Sequence, residues 1–149
     1  MRARLNKIAD EDGYTLLEVL VVVLIIGVLA TIALPSFLNQ TTKAVDAGAE
    51  ELAHSSQVAA EDYATDHNGS YVGLTAAALA QYEPTIQIGS GSGSAWVQSV
   101  TNATATGYIV TTESSDGHAL FSINRTSGAT TRTCTSTNGV KGACVNGSW

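Results

Sequence analysis

From Leu16 to Leu34 the chain reads LLEVLVVVLIIGVLATIAL, and Glu18 is the one charged residue in that stretch. A helix needs roughly 20 apolar residues to cross ~30 Å of hydrocarbon, and this run is about that long. It exceeds the apolar region of an ordinary secretory signal, and no Ala-x-Ala cleavage site follows it directly. Arg2, Arg4 and Lys7 precede the run and an acidic segment follows it, so the positive-inside tendency keeps the N-terminus cytoplasmic and exports the C-terminal bulk. The alternative, a helix buried in a protein core, fails for want of a shell, because the rest of the chain is too polar to enclose it.

At 149 residues the chain has room for one domain and an extension. Its net charge of −6 argues against a nucleic-acid-binding core, which needs a basic face. After Gly13 the only cations are Lys43, Arg125, Arg132 and Lys141, and the C-terminal half is rich in Ser, Thr, Gly, Ala and Asn. That composition describes a solvated surface with little charge.

Between Ser36 and Asp66 there is no further proline and only Gly48 among glycines. Leu38, Val45, Leu52 and Ala59 recur every seventh residue, flanked by Phe37, Ala44 and Val58. This spacing predicts a helix with a narrow apolar stripe, with Lys43, Asp46, Glu50, Glu61 and Asp62 turned elsewhere. The segment "LTAAALAQY" predicts a short second helix ending near Glu83-Pro84, and "GSGSGS" from Gly89 to Ser94 reads as a flexible turn. Four strand-like runs follow: "AWVQSV", "GYIVTT", "HALFSIN" and "ATTRTCT", separated by turns such as "SSDG" and "RTSG". The expected fold is α+β: a long N-terminal helix covering one face of a four-stranded antiparallel meander.

Cys134 and Cys144 lie close together in the exported part, which favours oxidation; a bond there would stabilise by about 2.8 kcal/mol on the chain-entropy model. Two free thiols are the alternative. A zinc site lacks ligands at a workable spacing, since His54, His67 and His118 are scattered. No Gly-rich phosphate loop or nucleophilic set is present, and "SSDGH" has the composition of a hairpin turn rather than of a hydrolase fragment. The expectation is a protein without catalytic residues, metal or cofactor.

The stretch from Gly13 to Gln40 resembles the N-terminal signature of type IV pilins and pilin-like proteins, the class III signal. A short charged leader ends in Gly13; Tyr14 follows, where Phe is more usual; Glu18 stands four residues further on, and the apolar helix continues through Leu34. "EDYATDHNGSYVGLTAAALAQY" is similar to a segment found after the pilin helix, and "TRTCTSTNGVKGACVNGSW" resembles the disulfide-closed loop of many bacterial pilins. The resemblance implies a leader (1–13), a transmembrane and filament-core helix (14–35), an amphipathic half (36–66), an αβ-loop (67–94), and a sheet with a Cys134–Cys144 loop (95–149). It implies that a prepilin peptidase cuts between Gly13 and Tyr14 and methylates the new amine of Tyr14. An assembly platform and an ATPase motor would then draw the subunit from the inner membrane into a helical homo-oligomer on the cell surface, with no direct nucleic-acid site.

The cut gives Glu18 a partner. A carboxylate in hydrocarbon is costly, by about 2.5–3.5 kcal/mol on insertion scales. Residues 14 and 18 share a helix face, so Glu18 can pair with its own Tyr14 amine or with a neighbour's, and thereby sets the displacement between subunits. Pro35 removes an N–H from an otherwise continuous helix, and Gly27 adds a second weak point; in pilus filaments of the family the corresponding stretch is often unwound. The plain reading of Pro35 is that it marks the exit from the bilayer. The resulting expectation is a structural subunit of a type IV pilus serving adhesion, twitching motility or DNA uptake. The alternatives are a pseudopilin of a type II secretion or competence machine, a minor pilin, or a signal-anchored surface protein that does not assemble. The Ca²⁺ site common in secretion pseudopilins needs several oxygen ligands, and Asp116 is the only acid in the "SSDG" turn.

Overall fold

The computed structural model describes residues 14–91, 94–137 and 142–149; the leader with Gly13, Ser92 and Gly93 of the Gly/Ser turn, and residues 138–141 of the C-terminal loop lie outside them. The described elements are α1 (Leu16–Asp66), α2 (Ala76–Tyr82), β1 (Ala95–Thr101), β2 (Gly107–Ser114), β3 (Ala119–Thr126) and β4 (Ala129–Ser136). The chain divides into two compact units, one ending at Ser36 and the other running from Phe37 to Trp149.

In the first unit the large apolar side chains from Leu16 to Leu34 are all exposed. By length and composition this part of α1 could cross a membrane. Its one hydroxyl between Leu16 and Leu34 is turned inward: Thr31 Oγ1 donates to the Val28 carbonyl at 2.6 Å and lies 3.2 Å from that of Gly27. That local bond removes a polar group from an apolar surface. Pro35 lies inside α1, and helical structure continues through both Gly27 and Pro35. Proline removes one backbone donor there, and the remaining bonds of a long helix carry the segment across.

In the second unit the buried residues of α1 are Asp46, Ala49, Ala53, Ser56, Ala59, Ala60, Tyr63 and Ala64. This corrects the predicted stripe. Leu38, Phe37, Ala44 and Val58 are exposed, Val45 and Leu52 sit half-buried at the margin, and Ala59 alone of that set is buried. The reason is size. Ala and Ser let the sheet approach the helix backbone, so closely that Thr112 Oγ1 donates to the Ala49 carbonyl at 2.8 Å; larger aliphatics fit only at the edges. Asp46, expected on the solvent side, is fully buried.

The helix ends where Asn68 (φ 55°) and Gly69 (φ 79°) enter the left-handed region. There the Gly69 N–H returns to the Ala64 carbonyl at 2.7 Å, closing the last turn. Thr75 caps α2 by accepting from the Ala78 N–H at 3.1 Å, a contact worth about 1 kcal/mol. The four strands form one antiparallel sheet in the order β1-β2-β3-β4. Between β3 and β4, Ser127 and Gly128 both take positive φ, as a two-residue hairpin of the twist-matched kind requires.

Alternation along β2 and β3 turns Tyr108, Val110, Thr112 and Ser114, with Ala119, Phe121 and Ile123, to the buried face. One core cluster joins Ala59, Ala60, Tyr63 and Ala64 to Tyr71, Leu74, Leu79, Ile86, Val97, Tyr108 and Val110. A second joins Ala49, Ala95, Ala119, Phe121 and Cys134, with Trp149 packed against it.

Candidate assembly site and C-terminal loop

Thr15 caps the start of α1, and Thr15-Leu16-Leu17-Glu18 has the Thr-x-x-Glu spacing of a capping box. Thr15 Oγ1 accepts from the Glu18 N–H at 3.2 Å, and the Thr15 carbonyl accepts from the same N–H at 3.0 Å. Glu18 therefore stands in the first turn, where the unpaired N–H groups of the helix create a positive end that favours a carboxylate. Tyr14, Glu18, Val19 and Val22 line one shallow hollow on this exposed surface. The Thr-x-x-Glu spacing is a local signal legible in the sequence. Gly13 lies outside the described residues. Gly27 has open space around its Cα, with nothing within 4 Å of where a Cβ would stand.

At the other end of the chain, Cys134 of β4 and Cys144 are joined in a disulfide with Cα atoms 5.6 Å apart. The segment around it is held at several points. The Cys134 N–H donates to the Gly147 carbonyl at 3.0 Å, Trp149 Nε1 donates to the Thr133 carbonyl at 3.0 Å, and the Trp149 ring meets Phe121 edge-on. The Ala143 N–H donates to Asp46 Oδ2 on α1 at 2.7 Å. Gly142 lies so close that a Cβ there would collide with the same carboxylate oxygen, which is why the position takes glycine. Asp46 Oδ1 lies 3.1 Å from His118 Nε2, and His118 Nδ1 contacts Asp116 in the β2–β3 turn.

A second polar cluster ties α1 to β3. Glu61 Oε1 lies 2.9 Å from Arg125 Nε, Glu61 Oε2 accepts from the Tyr71 hydroxyl at 2.8 Å, and Arg125 Nε donates to that hydroxyl at 3.0 Å. Burial, and secondarily the negative charge of Glu61, push the Tyr108 hydroxyl far up, so it stays neutral at the edge of this cluster. Sequence reasoning found neither cluster, because each joins residues from distant segments.

Among the described residues no group of three or more His, Cys, Asp or Glu side chains is placed to hold a metal ion. Asp116 spends its carboxylate on Ser114 and His118.

With this geometry in hand, residues 9–34 match the family model described as the prokaryotic N-terminal methylation motif. The match supports a precursor carrying a class III signal ahead of an apolar helix. Together with a long helix on a four-stranded antiparallel sheet and the Cys134–Cys144 bond, it supports a prepilin of the type IV pilin family. The motif supports a pilin-like or pseudopilin precursor, a structural protein whose apolar helix fits membrane anchoring. No curated protein and no solved structure matched the chain.

Proposed function

We propose that the chain is a structural subunit that polymerises through α1 into a type IV pilus on the bacterial surface. The observation that carries this reading is the placement of Glu18: an acid in the first turn of an otherwise apolar, exposed helix, next to the residue that the motif would make the mature N-terminus. A prepilin peptidase cuts after Gly13 and methylates Tyr14, and the inner membrane holds the subunit until the assembly machinery extracts it. In the filament, Glu18 meets the Tyr14 amine of a neighbour, which neutralises a carboxylate in an apolar core and fixes the stagger. Gly27 and Pro35 supply the weak points at which the packed helix yields.

The polar, disulfide-closed head suits display to solvent. Mass spectrometry of sheared surface filaments tests the reading. It predicts this chain as an abundant component beginning at Tyr14 with one added methyl, and a Gly13→Trp variant that keeps its leader and stays in the membrane. Filaments that lack the chain, or that contain it with the leader attached, contradict it.

A further inference from the structure

Asp46 is fully buried, yet among the described residues its carboxylate receives a single hydrogen bond, from the Ala143 N–H to Oδ2 at 2.7 Å. Oδ1 has no hydrogen-bond partner among them; His118 Nε2 lies 3.1 Å away and is itself without one. In water a carboxylate accepts up to about four hydrogen bonds, so most of what solvent offers this group is missing. Burial on those terms is unfavourable, and something else must hold the cover in place.

The cover is thin. Gly142 is buried and Ala143 half-buried, and a Cβ at residue 142 would collide with Asp46 Oδ2. Directly after them, Cys144 is joined to Cys134 on β4. Beyond Cys144 the segment has holds of its own. Val145 and Ser148 exchange backbone bonds at 3.2 and 3.1 Å, and the Gly147 carbonyl accepts from the Cys134 N–H at 3.0 Å. Trp149 Nε1 donates to the Thr133 carbonyl at 3.0 Å. None of these bonds involves residue 142 or 143. The disulfide confines those two residues beside Asp46, and hydration of the carboxylate pulls the other way.

We propose that the Cys134–Cys144 bond is a redox switch for the burial of Asp46. In the oxidised head it holds Gly142 and Ala143 over the carboxylate. A dithiol that reduces the bond passes two electrons and two protons to the cysteines and closes to its own disulfide. The cover then lifts and water reaches Asp46. Residues 147–149 stay on β4, because their bonds do not pass through the two sulfurs.

The test uses the full chain in detergent micelles, oxidised or reduced with dithiothreitol, with hydrogen exchange read by nitrogen NMR. Protection of the Ala143 amide falls by about tenfold or more on reduction, while the Trp149 indole N–H keeps its protection. Asp46→Asn removes the charge and keeps an acceptor for the Ala143 N–H, so reduction of this variant leaves the Ala143 amide largely as it was. An Ala143 amide indifferent to reduction of the wild type overturns the proposal. So does an equal loss in Asp46→Asn, or a loss shared by Trp149, which would mean that the whole segment leaves. Should Asp46→Asn not fold, carbodiimide coupling of an amine to water-accessible carboxyls decides, comparing the oxidised wild type with Cys134→Ser combined with Cys144→Ser. Labelling of Asp46 in the serine variant alone supports the switch, and equal labelling of Asp46 in the two proteins overturns it.

Discussion

Glu18 and Asp46 are both acids on α1, and their surroundings give them opposite meanings. Glu18 is exposed on an apolar helix, and its backbone N–H is held by Thr15. Asp46 is buried with its partners already supplied by the same chain. The first was legible in the sequence because a lone charge stands out in an apolar run. The second was not, because nothing local connects Asp46 to His118 or to Gly142.

Two predictions belong at this scale. Adding a methyl at Gly142 drives it into the Asp46 carboxylate, so Gly142→Ala destabilises the head by about 1–3 kcal/mol in urea unfolding. Asp116 has a folded-state pKa below its unfolded value, so its stabilising contribution is complete above the ordinary carboxylate range and lost as pH falls through the lowered value. Asp116→Asn should therefore flatten the acid limb of the stability profile, measured as the urea midpoint from about pH 5 to about pH 2.

Elements were more legible than their faces. The four strand-like runs correspond to β1 to β4, the Glu83-Pro84 stop follows α2, and "SSDG" and "RTSG" are hairpin turns, because β-branched runs and turn residues act locally. The phase of α1 was misread because the sequence weights large aliphatics, whereas the helix buries the small side chains that permit close approach. Period survived and phase did not: Ala49, Ala53, Ser56, Ala60 and Tyr63 repeat at the spacing of the predicted stripe on a neighbouring face.

The disulfide is the element-scale device that keeps the C-terminal segment against β4 and Phe121. Replacing both cysteines, Cys134→Ser with Cys144→Ser, should lower head stability by about 2–3 kcal/mol and reduce surface filaments while leaving leader removal unchanged. Urea unfolding and an immunoblot of the processed band check the two halves of that expectation.

At the scale of the molecule, the exposed apolar part of α1 and the polar head answer different demands. The head closes its own core, with Phe121, Tyr108 and Ile123 fully buried, and needs no partner to do so. The apolar helix cannot close on itself; lipid or the helices of other copies must cover it.

The most direct measurement is filament yield from a strain expressing Glu18→Ala alone, with insertion and leader removal monitored in the same cells. The substitution keeps helix propensity and eases insertion, so a membrane-edge role for Glu18 leaves assembly intact. The register role predicts a protein that is inserted and cleaved yet scarcely polymerises. It also predicts under-representation of the variant in filaments mixed with wild type, because the variant still offers its Tyr14 amine but no carboxylate. Filaments from Glu18→Ala alone at the wild-type yield would contradict the account.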